Sequence, residues 1–119
     1  MDAVYSLRRE RAALLDRMTR TFTDAAKQRP LRQRHIPGPR GGEIEWVLHE
    51  REVMLTEVNQ ARAERGLPPV DAAVVERAEQ HACGHIDYAT KWPLYCAEIV
   101  LDLPPWIRPP AGVEYREDP

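Results

Sequence analysis

The densest group of reactive side chains in this 119-residue chain is His81-Ala82-Cys83-Gly84-His85-Ile86-Asp87, with Cys96 following. Two thiols and two imidazoles form a donor set that tetrahedral zinc accepts, so His81, Cys83, His85 and Cys96 are the candidate ligands of a zinc-binding helical domain. Their spacing argues for something plainer. There is no Cys-x-x-Cys pair, and His81 and His85 share a helical face only if a helix continues through Gly84, which would turn Cys83 elsewhere. The simpler expectation is no cofactor, with the two thiols acting as small apolar side chains and the histidines closing a helix. Zinc deaminase chemistry needs a His-x-Glu and a Pro-Cys-x-x-Cys. Here His85-Ile86-Asp87 is followed by Pro93-Leu94-Tyr95-Cys96, and no further cysteine comes after it. A nucleophilic cysteine needs a base held in place by a third group, and adjacency to His81 and His85 does not supply that geometry. No catalytic residue is therefore expected, and the chain reads as non-enzymatic.

A second chemistry is suggested by charge. The net charge is −2, but residues 1–42 hold ten Arg and Lys against four Asp and Glu, whereas residues 43–119 hold seven against fifteen. Such a split implies either a charged partner or an electrostatic match between two parts of the protein or two copies of it. Arg8, Arg9, Arg11, Arg17, Arg20 and Lys27 form a basic stripe leading to Arg29, Arg32, Arg34 and Arg40. Those last four are the candidate nucleic-acid contacts, because clustered cations displace the counterions of a phosphate backbone. The plainer reading is a solvated helix face that complements the acidic remainder. The Arg-to-Lys ratio of 15 to 2 reflects GC-rich coding more than any nucleic-acid target.

The elements that carry these groups read as all-α: three to four helices, a long N-terminal helix and an extended Pro-rich C-terminal tail. In residues 1–28, Val4, Leu7, Leu14, Leu15, Met18, Phe22, Ala25 and Ala26 recur at spacings of three and four, which predicts one long amphipathic helix over 2–28. Residues 29–42, with three prolines and three glycines, predict a basic linker without regular structure. A helical core is expected over 43–103. Its first helix covers 43–65 and closes at Gly66. A second covers 72–83 behind an Asp71 cap and a Val70–Val75 staple. A third covers 86–102, with Ile86, Ala89, Trp92, Cys96, Ile99, Val100 and Leu103 on one side and a kink or fresh start at Pro93. Aromatic residues are few, so Leu, Val and Ala are expected to supply most of the core. Residues 104–119 contain five prolines and form the tail.

The helix pair around Gly84 invites a helix-turn-helix reading. Residues 86–102 contain one Lys and no Arg to meet phosphate, so a buried pair is the better account. Two cysteines are too few for a disulfide framework, and the N-terminus lacks the continuous apolar stretch of a secretory signal. The expectation is cytoplasmic, with no membrane span.

Two local likenesses exist. Glu57-Val-Asn-Gln-Ala-Arg-Ala-Glu-Arg-Gly-Leu-Pro-Pro69 resembles the first helix of the secreted, cysteine-rich CAP superfamily. The likeness covers 13 residues, lacks that family's downstream histidine and glutamate pattern, and transfers no residue. Residues 84–101, GHIDYATKWPLYCAEIVL, are similar to small helical proteins of high-GC, actinobacterial genomes and their phages, a group with no assigned activity. That resemblance implies a small accessory protein. The functional expectation is a protein-interaction or regulatory module working by helix–helix docking or homo-oligomerisation, through Leu7, Leu14, Met18, Phe22 and Trp46.

Overall fold

The computed structural model describes residues 3–37 and 42–102, and the side chains of these from Leu7 onward. The expected tail over 104–119, and Arg40, lie outside the described residues. The all-α expectation holds: four helices form the body, α1 (Ala3–Ala26), α2 (Glu45–Glu64), α3 (Ala72–Cys83) and α4 (Tyr88–Val100).

The apolar repeat of α1 becomes a buried row, Leu14, Met18, Phe22 and Ala25, spaced by one helical turn. The helix packs on α2 and α4 and runs antiparallel to both. Arg17 meets Glu57 and Glu64 of α2, and Glu10 meets Arg65 just beyond it. Toward α4, Phe22 meets Trp92 and Arg11 meets Glu98. α2 and α4 therefore run side by side, with α3 packed on both from the other flank. The first helix is thus part of the core of its own chain. Its row begins only at Leu14, and residues 7–13 are all exposed.

The linker is where expectation and structure part most clearly. Residues 29–42 are not without regular structure. Arg29–Leu31 forms a 3-10 turn, and β1 (His35–Ile36) pairs antiparallel with β2 (Glu43–Ile44), His35 opposite Ile44. The reason is the start of α2, whose first N–H groups have no acceptor inside the helix. Ile44 offers no capping side chain. The amide of Glu45 instead donates to the Arg34 carbonyl (2.7 Å), and that of Trp46 to the Arg32 carbonyl (3.0 Å). The linker backbone is thus the cap of α2. Gly42 has φ +96°, and a Cβ there would come within 3.2 Å of the Ile36 carbonyl oxygen, so the returning strand needs glycine.

The end of α2 follows the sequence signal closely. Gly66 has φ +75°, its amide donates to the Ala63 carbonyl, and the Leu67 amide donates to Arg62. This is the paired closure of a Schellman motif. Asp71 holds the capping position of α3, but through its carbonyl, which accepts from Val74, and not through its side chain. Val70, the outer half of the expected staple, packs against the core cluster that contains Val75.

α4 differs from expectation at two points. It begins at Tyr88 and not at 86, leaving Ile86 fully exposed and Ala89 exposed. It also continues through Pro93, whose ring is buried in the core. The missing N–H costs one bond toward Ala89, and burial of the ring offsets that loss. Trp92, Cys96, Ile99 and Val100 are buried as expected. Valine and alanine supply most of the buried apolar positions, as expected, but leucine does not. Leu14 is the only buried leucine among the described residues, and the largest fully buried side chains are Trp92, Met18 and Met54. Phe22, Tyr88 and Trp92 form an aromatic cluster, with Phe22 edge-on to both rings at 6.0 and 5.5 Å.

Candidate functional site

The histidine and cysteine group does not converge. Cys96 is fully buried in the core, whereas Cys83, at the last residue of α3, is exposed. Burial pushes the Cys96 thiol far up, and burial followed by the nearby Glu79 raises Cys83, so neither is a ready thiolate. His85 is exposed and shares a 3.4 Å contact with the Tyr95 hydroxyl. Among the described residues no group of three or more His, Cys, Asp or Glu is arranged to hold a metal ion.

Three of the four candidate nucleic-acid arginines, Arg29, Arg32 and Arg34, are engaged within the chain. Arg29 donates to both oxygens of Glu50 (2.6 and 2.9 Å), and its guanidinium carbon lies 4.1 Å from the centre of the Trp46 ring. Arg32 and Arg34 share Glu45, at 2.9 and 3.2 Å. Further along the basic stripe, Arg11 pairs with Glu98, Arg17 with Glu57 and Glu64, Arg20 with Asp16 and Lys27 with Asp24. Arg11, Arg17, Arg29, Arg32 and Arg34 thus meet carboxylates of the acidic part of the chain, so an electrostatic match between two parts of the protein is present. A phosphate backbone would have to displace these carboxylates, each already a charge-assisted partner.

Three acids and bases that the sequence reading passed over are buried: Glu50, Arg62 and Glu79. Glu50 holds Arg29. Arg62 donates to the carbonyls of Pro68 and Ile99, each at 2.7 Å, and to Asp102 at 3.3 Å. Glu79 accepts from Arg51, which also reaches Glu43 of β2. Burial raises the Glu79 carboxyl above the ordinary carboxylate range, with Arg51 opposing the rise. A signal for all three existed. Glu50, Met54, Val58, Ala61 and Arg62 fall on one stripe of α2, and Val75, Ala78, Glu79 and Ala82 on one stripe of α3. A charge set into an apolar row needs a buried partner.

Of the expected interaction residues, Leu14, Met18 and Phe22 are core residues of this chain and are not available to a partner. Trp46 is half-buried, with one face covered by Arg29. Leu7 alone is open, 40 % exposed on the outer part of α1.

Among the described residues, two clefts are candidate surfaces. One, of about 330 Å³, lies along the linker and α2 and is lined by Arg32, Arg34, Ile36, Glu45, Leu48, His49 and Glu52. Its two arginines are already committed to Glu45. The other, of about 320 Å³, follows the seam between α1 and α4 and is lined by Arg8, Arg11, Ala12, Leu15 and Leu94. It has an apolar floor and continues into the exposed turns that carry Leu7. Among the described residues Arg8 has no carboxylate partner. Leu31 and Ile86 are also exposed, at the opposite end of the body, as single side chains of the kind ordinary surfaces carry.

No helix among the described residues is long and apolar enough to cross a membrane. No family model, curated protein or solved structure matches the chain.

Proposed function

We propose that this protein is a small non-enzymatic interaction module that docks an acidic, amphipathic segment of a protein partner against the outer turns of α1 and the α1–α4 seam. The observation that carries this reading is the state of residues 7–13. They continue α1 beyond its packed row, expose Leu7, Ala12 and Ala13, and present Arg8, which has no carboxylate partner among the described residues. An apolar strip beside an exposed arginine suits a helix whose apolar face is bordered by Asp or Glu.

Self-association fits this surface less well. An isologous pair would lay the same segment on itself, and residues 7–13 carry three arginines against one glutamate. Nucleic acid fits less well again, because Arg29, Arg32 and Arg34 are held by Glu50 and Glu45. A regulatory role in a bacterial or phage setting, as the resemblance of residues 84–101 implies, belongs to the same proposal.

The test is affinity capture from bacterial lysate with and without nuclease, read by mass spectrometry. A discrete protein retained after nuclease supports the reading. Material lost on nuclease treatment would replace it with nucleic-acid binding.

A further inference from the structure

We infer that the α1–α4 seam selects a spaced motif on its partner: a helix with two carboxylates about eleven residues apart and apolar side chains four and seven residues after the first. The inference deepens the docking proposal and rests on it.

Three contacts set the register of the two helices. Arg11 pairs with Glu98, Leu15 and Leu94 line one cleft, and Phe22 meets Tyr88 edge-on at 6.0 Å. Each step forward along α1 is matched by an equal step back along α4. Lys91 therefore lies level with Met18 and Thr19, and it shares the stripe of Leu94 and Glu98, three and seven residues further on. Arg8, Ala12, Leu15 and Thr19 form the facing stripe of α1.

The seam is apolar in its middle and cationic at both ends. Ala12, Leu15 and Leu94 make the floor, and Glu98 neutralises Arg11 beside it. Arg8 stands exposed at the outer end and Lys91 partly exposed at the inner end. Among the described residues neither has an ion-pair partner, Asp87 one turn before Lys91 included. The two cations are about 16 Å apart along the seam, or about eleven residues of a helix that rises 1.5 Å per residue. Positions i, i+4, i+7 and i+11 share one face of such a helix. Acids at its two ends meet Arg8 and Lys91 while the two apolar residues between them cover the floor. Charges at the rim of an apolar contact act mainly by fixing register and rejecting wrong partners.

The motif belongs to a different protein and not to a second copy of this chain. Here only Glu76 with Asp87, and Asp87 with Glu98, are acids at that separation, and Gln80 and Lys91 occupy the first apolar position.

The experiment titrates the full chain with two synthetic 15-residue peptides of identical composition, blocked at both ends and built on alanine and glutamine. The first has glutamates at positions 2 and 13 and leucines at 6 and 9. The second keeps the leucines and places both glutamates at positions 2 and 3. In backbone amide spectra the first is expected to shift Ala12, Leu15 and Leu94 and to leave Gly66 and Asp71 unmoved, with the second binding roughly tenfold more weakly. Arg8→Glu and Lys91→Glu should each weaken the first peptide by a similar factor. Lys91→Glu should regain it with a peptide that carries lysine in place of one glutamate. Gly66 and Asp71 amides that match the parent in each free variant establish that the fold is intact, and Lys91→Gln is the milder substitution. Equal affinity for the two peptides, Lys91→Glu binding as the parent does, or shifts centred on the cleft between the linker and α2 would each overturn the inference. The two readings fail separately. A captured partner that is lost with Arg8→Glu and indifferent to Lys91→Glu would keep the docking surface and remove the spacing rule. Peptides that obey the spacing, with no protein captured from lysate, would keep the selectivity of the seam and remove the docking function.

Discussion

Arg29 reaches out of the linker and donates two hydrogen bonds to Glu50, a carboxylate of α2 that is only 1 % exposed. The same guanidinium lies over the Trp46 ring and within 5.8 Å of the Phe22 ring centre. One side chain therefore ties the end of α1, the linker and the start of α2. This bond turns a segment of apparently free positive charge into an internal fastening.

Removing either partner strands the other. Glu50→Ala leaves Arg29 over the aromatic rings without its acceptor, and Arg29→Ala leaves a buried carboxylate unpaired. Each is expected to cost about 2–3 kcal/mol, below the usual range for a fully buried pair because a third of the Arg29 side chain meets water. The double variant should cost clearly less than the sum. Urea denaturation of the four proteins measures this, and strict additivity would show that the pair is not coupled.

Arg62 has a comparable role at the other end of the body. It is 3 % exposed and gives hydrogen bonds to two carbonyls on different segments, Pro68 and Ile99, joining the turn after α2 to the last turn of α4. Arg62→Met keeps most of the volume but leaves both carbonyls and Asp102 without this donor. The expected loss is about 3 kcal/mol. Arg62→Lys should recover only part of it, since one ammonium cannot span the fork. Equal stability of the Lys variant and the parent would remove the bridging role.

The Glu79 carboxyl gives a pH signature. Burial lifts it above the ordinary range, with Arg51 lowering it and Glu76 and Glu43 adding to the rise. The folded form then holds this proton at pH values where the unfolded chain has released it. Stability from this group falls as pH rises from the ordinary carboxylate range through the raised value. Glu10 and Glu64 act with the opposite sign. Arg65 and Arg17 hold them low, so their stabilisation is present above the ordinary range and is lost as pH falls through their folded values. In Glu79→Gln the first contribution disappears and the others remain. The difference in Tm, variant minus parent, is expected to rise from acid to neutral pH. A flat difference would mean that Glu79 does not titrate in folding.

Gly66 tests the backbone alone. A Cβ there meets nothing within 4 Å, yet φ is +75°. Gly66→Ala is expected to cost about 1 kcal/mol from conformation without any clash. A loss of several kcal/mol in thermal melts would show that the turn does more than close α2.

Signals that act within a few residues were legible in the sequence. Gly66 marked the end of α2, Asp71 the start of α3, and the three-four spacing of Leu14, Met18 and Phe22 the packed face of α1. What escaped depends on contacts between distant residues. The cation Arg29 and the anion Glu50 are 21 residues apart, and neither announces the other. Prolines and glycines hid β1 and β2 because the strands exist to supply the carbonyls of Arg32 and Arg34 to α2, a long-range need. That Leu14, Met18 and Phe22 are buried within this chain was hidden for a related reason. An amphipathic stripe reads the same whether its own chain or a partner covers it, and here the chain covers all but the outer turns.

The proposed docking surface is the outer turns of α1. The most direct measurement is the affinity of the captured partner for the parent chain, Leu7→Glu, Arg8→Glu and, as a control on the other cleft, Leu48→Glu, at two salt concentrations. Leu7→Glu and Arg8→Glu are each expected to weaken binding at least about tenfold, a loss of about 1.4 kcal/mol. Arg8→Glu should also reduce the salt dependence, and Leu48→Glu should bind as the parent does. Binding that survives both α1 substitutions and fails in Leu48→Glu would contradict it and move the interface to the linker and α2.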